Sequence, residues 1–458
     1  MDDVFCNKFK HINVPIVLLV FPFVYLAVCV QNEPIHKFKL YASISKKGNE
    51  RMLYRKNNIF SEIDWLKDHT YSIQLHELDG HSDLYFLKPL LQNKRIVFLG
   101  ENGHGVAEHS LIKTKMIKYL HKELGFRVLA FESSFSDCSI CFYQQDQLDT
   151  RQWMKHSLFK VWHTEEVETL FHYVKEMQLL NQPLILTGLD IQPTSSDHIT
   201  GKFLVEVFSN MDKDFGEKIA SLEREMLYQY VNSRNRSISK KERKRKCKEL
   251  MKLYKEFLLL LDKNSLELQN KFGKDAFLLV NRILQNRISL IQMISSHFMK
   301  AIKIRNKAMA DNILWLAQEM FPNEKIIIWA HNGHIMKQSR SLLGFPSTFS
   351  YLPPKIKEFS YTIGFFMYSG QAAENNRSVY EVQQPDQDSI EFRIKQAGHE
   401  IGFFDISQQR KVPQNCWLFQ HTYTMHEGKQ LNLIKPSACY DGLVVCAKTS
   451  PPKYINLN

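Results

Sequence analysis

Two short motifs combine residue type and spacing in a way that suggests chemistry. Glu101-Asn102-Gly103-His104 sets a carboxylate three positions before an imidazole, and His331-Asn332-Gly333-His334 sets two imidazoles three apart. A neutral imidazole takes a proton from water near pH 7 when a carboxylate fixes its tautomer and stabilises the imidazolium that forms. Glu101 or Glu132 could serve His104 in this way. The tetrahedral intermediate of an ester would then need cationic or N–H groups beside its oxyanion, and Lys113, His331 and His334 are the candidates. The chain contains no G-x-S-x-G elbow, so the pattern predicts hydrolysis by an activated water rather than by a serine.

Such residues need strands to gather them. Apolar, β-rich runs occur at 95–99, 127–131, 183–189, 325–330, 361–367 and 442–447, separated by stretches of helical character. That alternation predicts an α/β fold, a mostly parallel central sheet with flanking helices, whose strands are buried on both faces. Between 203 and 317 no comparable run appears, and apolar residues such as Ile283, Ile288, Ile291 and Ile294 follow helical spacing. A large helical insertion is expected there, dividing an α/β core into 95–202 and 318–458, with a polar, helical lead-in over 31–94. In open α/β sheets, ligand-handling side chains collect beyond the carboxyl ends of strands. Four of the runs end in this way, at Glu101 and His104, at Glu132, at Asp190, and at His331 and His334. The glycines of Gly100-Glu101-Asn102-Gly103-His104-Gly105 permit tight turns but lack the G-x-x-x-x-G-K-[ST] pattern that cradles phosphate.

Composition narrows the class. Of the 458 residues, 44% are hydrophobic and 24% charged, the balance of a folded protein. The net charge of +12 is spread along the chain except for Lys240-Lys241-Glu242-Arg243-Lys244-Arg245-Lys246, which reads as a solvated helix face. No zinc-finger, RNA-binding or helix-turn-helix signal accompanies it, so no nucleic-acid partner is expected. Cysteines are sparse and read as free thiols, the lone pair Cys138-x-x-Cys141 included. Residues 14–30 are apolar on every side and follow Lys8, Lys10 and His11, which predicts an export signal or membrane anchor, with cleavage and retention both open.

The stretches LGENGHGVAEHSLIK, GFRVLAFESS, WHTEEV, GLDIQ, RNKAMADNILWLA, IIIWAHNGHI and YDGLVV, taken in order from about Arg95 to Val445, resemble the erythromycin-esterase-like family. The resemblance implies a hydrolase without metal or other cofactor, in which a histidine activates water to open a small-molecule ester. In the best-known members that ester is the lactone of a macrolide antibiotic, which would imply a role in resistance. By motif, His104 would be the base, Glu101 and Glu132 the site carboxylates, and His331 and His334 the groups around the substrate carbonyl. The family usually has arginine where this chain has Lys113, and a lysine cannot repeat a bidentate contact. His163 stands where asparagine is more usual. Asp190, His163, Arg305 and Asn332 are expected to bind substrate, Asp190 alternatively to brace a loop, Arg305 and Asn312 to line the cleft from the helical region, and Glu165 and Glu166 to interact with a helix dipole.

Two other readings use the same residues. Glu101-x-x-His104 and His331-x-x-His334 offer oxygen and nitrogen ligands for zinc or manganese in a metallohydrolase, although neither matches H-E-x-x-H. The second is a non-enzymatic envelope protein that binds iron or haem through these histidines.

Overall fold

The apolar runs form strands whose alternate side chains enter two different cores. The computed structural model describes residues 61–76, 80–144, 147–194, 199–233, 239–338 and 345–456. The expected export or anchor segment at 14–30 lies outside these residues. So does 339–344. Among the described residues, no helix is long and apolar enough to cross a membrane.

The strands are β1 (Thr70–Ser72), β2 (Ile96–Leu99), β3 (Phe126–Ser134), β4 (Ile185–Asp190), β5 (Lys325–Trp329), β6 (Ser360–Met367), β7 (Gln371–Ala373), β8 (Val379–Glu381), β9 (Ile401–Asp405), β10 (Thr422–His426), β11 (Gln430–Ile434) and β12 (Gly442–Cys446). Eight of them make one sheet in the order β1-β9-β12-β6-β2-β5-β3-β4. The run from β12 to β4 is parallel, while β9 joins β12 and β1 joins β9 antiparallel. The fold is thus α/β with a mostly parallel central sheet. On β2, β3 and β5, Phe98, Ala130 and Ile328 face one buried cluster and Leu99, Leu129 and Ile327 the other. Each large aliphatic side chain buried in this way contributes roughly 1.5–3 kcal/mol, which explains why these strands read as continuous apolar runs.

Helices cover both faces. Ala107–Leu124 follows β2 and ends at Gly125, whose φ of 70° lets its N–H reach the Leu120 carbonyl. Glu165–Leu179 starts from Thr164, whose hydroxyl accepts from the Val167 N–H. Between β4 and β5 lie the helices Ile199–Ser209, Lys213–Val231, Lys240–Lys263, Ser265–Phe272, Lys274–Ile294 and Phe298–Trp315. Buried among them, Arg287 pairs with Glu223 at 3.0 Å, and the Tyr254 hydroxyl donates to the same carboxylate at 2.6 Å.

Candidate active site

Sheet order and register bring the chemistry together. β5 lies between β2 and β3, and Leu99, Trp329 and Phe131 form one row across them. The residues just past that row are Glu101, His331 and Glu132, so motifs far apart in sequence meet at the carboxyl ends of neighbouring strands. The register of β3 against β4 shifts between Phe131 and Ser134, a bulge that re-aims Glu132. Gly188 makes the bulge possible, since a Cβ there would lie 2.3 Å from the Ser134 carbonyl oxygen. Gly105 allows a similar approach: its carbonyl accepts from the Ala373 N–H at 2.8 Å, where a Cβ would meet Ala373 backbone at 2.2 Å.

Glu101 and His104 are both buried. One Glu101 oxygen takes a hydrogen bond from His104 Nδ1, and the other from Lys113 Nζ and, at 3.1 Å, from Trp329 Nε1. Burial pushes the Glu101 pKa up, but Lys113 and His104 outweigh it and hold the carboxyl at about 2. Lys113 is fully buried, with its ammonium 3.8 Å from the centre of the Trp329 ring. Burial brings its pKa down to about 8 against the pull of Glu101. The sequence offers Lys113 as a group for the oxyanion, whereas the structure places its ammonium on Glu101 and Trp329.

A second ion-pair system faces the first. Glu132, fully buried, accepts from Arg305 Nη2 at 3.0 Å and from the His331 backbone N–H at 2.7 Å, and His334 Nε2 lies 2.9 Å from it. Burial opposes its ionisation, but His334 and Arg305 keep its pKa well below the usual carboxylate range. Arg305 also donates through Nε to Asp190 at 2.9 Å, so one guanidinium ties together the ends of β3 and β4.

His331 stands between the two systems. Its Nδ1 accepts from the Gly333 N–H at 3.0 Å, which puts the proton of the neutral ring on Nε2. Burial, with His104 and His426 nearby, drives its pKa down to about 3. Its ring centre is 5.4 Å from that of His104, which Trp162 contacts edge-on at 5.0 Å. The site therefore holds an oriented imidazole with a carboxylate behind it, beside a neutral imidazole that can only donate from Nε2.

The remaining candidates are placed differently. The Asn332 amide donates to the Phe365 carbonyl at 2.7 Å and accepts from the Phe365 N–H at 3.2 Å, which commits it to β6. His163 donates from Nε2 to the Leu158 carbonyl at 2.9 Å, and burial brings its pKa to about 4. Asn312 joins the Leu189 carbonyl to Arg282. Glu166 accepts from the Lys453 N–H at 3.1 Å, and Glu165 pairs with the Lys453 ammonium at 3.4 Å. Cys138 donates to the Ser157 carbonyl, and its neighbour Cys141 is likewise a buried free thiol. Sequence reasoning missed Trp329, Trp162, Asn102 and His426, the last brought to the site by a hairpin. Among the described residues, no three His, Cys, Asp or Glu side chains converge on one ion position.

A protein-family model described as erythromycin esterase matches residues 121–449. YbfO of Bacillus subtilis (strain 168) is 31% identical over 414 residues, 84% of this chain and 91% of its own. Erythromycin esterase type II of Escherichia coli is 23% identical over 379 residues, 77% of this chain and 90% of its own. Among solved structures, a Bacillus cereus protein superposes with a TM-score of 0.74 at 20% identity, covering 87% of this chain and 99% of that one. The erythromycin esterase EreC, a mutant in its open conformation, gives 0.62 at 17% identity, covering 85% and 100%.

Proposed function

The chain belongs to the erythromycin esterase family and is a hydrolase of that kind, and from this premise we propose that it opens a small-molecule ester or lactone by attack of water activated at His104. The observation that carries the reading is the hydrogen bond from His104 Nδ1 to Glu101, whose other oxygen is held by Lys113 and Trp329. It leaves Nε2 as the basic nitrogen and stabilises the imidazolium that appears when water gives up its proton. His331, kept neutral and donating from Nε2, supports the developing oxyanion. Glu132 fixes the His331 backbone and orients His334, and Arg305 with Asp190 braces that carboxylate.

The test is mass-spectrometric detection of a gain of one water on a panel of macrolides and simple esters, with and without a chelator. Hydrolysis that survives chelation and falls by about 10²–10⁴-fold in His104→Ala, with an unchanged thermal melt, is the expected result. Near-normal turnover by His104→Ala would sink the assignment of the base. Loss on chelation alone would favour the metal-dependent reading, and macrolide turnover within the panel would bring in the resistance role.

A further inference from the structure

Ester hydrolysis needs a proton for the departing alcohol as well as a base for water. Glu101 and Glu132 are ionised among cations, and His331 is neutral with Nδ1 engaged. The hairpin of β10 and β11 adds one more titratable ring. His426, the last residue of β10, stands edge-on to His331 with ring centres 5.8 Å apart. The three imidazoles of His104, His331 and His426 thus adjoin in sequence of depth: the first two are buried, while the His426 side chain is 43% exposed and can exchange protons with solvent. The Glu427 carboxylate lies 4.0 Å from His426 Nε2.

The hairpin is held in place by bonds that a mere surface excursion would not need. Asn102, the residue between Glu101 and Gly103, is buried; its amide donates to the Met425 carbonyl at 2.6 Å and accepts from the Glu427 N–H at 2.9 Å. The buried Glu391 accepts from the Thr424 hydroxyl at 2.6 Å and from the Met425 N–H at 2.9 Å. Tyr380 donates its hydroxyl to the Glu427 carbonyl at 2.9 Å. The loop that carries Glu101 and His104 therefore clasps the two residues flanking His426.

We propose that His426 is the general acid of the reaction, protonating the leaving alcohol on the solvent side of the site. The proposal rests on the esterase reading. Attack forms the bond from water oxygen to the carbonyl carbon and leaves one water proton on His104 Nε2. Collapse breaks the bond to the alkoxy oxygen, which departs with the electron pair and takes the His426 proton. The product acid then ionises and His104 gives up its proton. One of these two protons restores the His426 imidazolium and the other is released.

A general acid matters when the leaving group is a poor one. The experiment compares an alkyl ester with a p-nitrophenyl ester of the same acid, using the full chain, His426→Ala and the bulkier His426→Gln, with thermal melts as a check on folding. Expected is a loss of kcat of about 100-fold on the alkyl ester and less than about threefold on the aryl ester in both variants. Equal losses on the two esters, or no loss on the alkyl ester, would overturn the role of His426 alone. Failure of the unaltered chain to cleave either ester would remove the esterase reading and this proposal with it.

Discussion

Glu101 keeps its charge in a buried setting chiefly through Lys113, with His104 beside it. Burial raises its pKa, and the ammonium beside it is the largest influence in the other direction. Lys113→Met should therefore let the Glu101 pKa climb and weaken its hold on His104. The Lys113→Met variant is expected to lose kcat by about 10- to 100-fold, while Lys113→Arg keeps the cation and most of the activity. A pH–rate series on the three proteins checks this, and superimposable profiles would remove Lys113 from the machinery. The strand-end residues Glu101, His104, Glu132, His331 and His334 were legible in the sequence because each sits in a local motif after an apolar run. Asn102 and His426 were not, since the contacts that give them meaning span more than 300 positions, as in the bond from Asn102 to Met425. Asn332 shows the opposite failure: a polar residue in the right motif whose amide serves the backbone of β6.

At the scale of elements, the parallel strands announced themselves because burial on both faces demands unbroken apolar runs. β1 did not, being the short Thr-Tyr-Ser that caps the sheet edge, and neither did the hairpins, whose short strands mix buried and exposed residues. Glu391 links the hairpin to pH. Burial raises its pKa to about 7, so the folded state binds a proton more tightly than the unfolded chain does. Its contribution to stability is complete below the unfolded value near 4.5 and lost as pH rises through 7. The buried histidines act on the other side. His331 and His109 fall to about 3 and His163 to about 4, so stability is lost as pH drops below their ordinary 6.5. Urea midpoints should decline on both flanks, and Glu391→Gln, which keeps an acceptor for Thr424 and Met425, should flatten the decline between about pH 5 and 8 while leaving the acid flank unchanged. An alkaline flank that persists in Glu391→Gln would assign it to another group.

For the whole molecule, the apolar stretch at 14–30 bears on where the protein resides. If that stretch directs export or anchoring, the full chain should sediment with membranes or leave the cytoplasm on fractionation, and a chain lacking residues 1–30 should do neither. Identical fractionation of the two would end that expectation.

The position of β5 also affects how the protein is made. Its place is between β2 and β3, yet more than a hundred residues of helical chain are synthesised after β4 before Lys325 emerges. At ordinary elongation rates of roughly 5–20 residues per second, the nascent sheet carries an open slot for on the order of ten seconds or more. During that interval the facing edges of β2 and β3 present unpaired N–H and C=O groups to any other strand in reach. Ribosome-bound chains that stop short of β5 would thus be both inactive and adhesive, which makes this the stage of biogenesis at which a chaperone has most to protect.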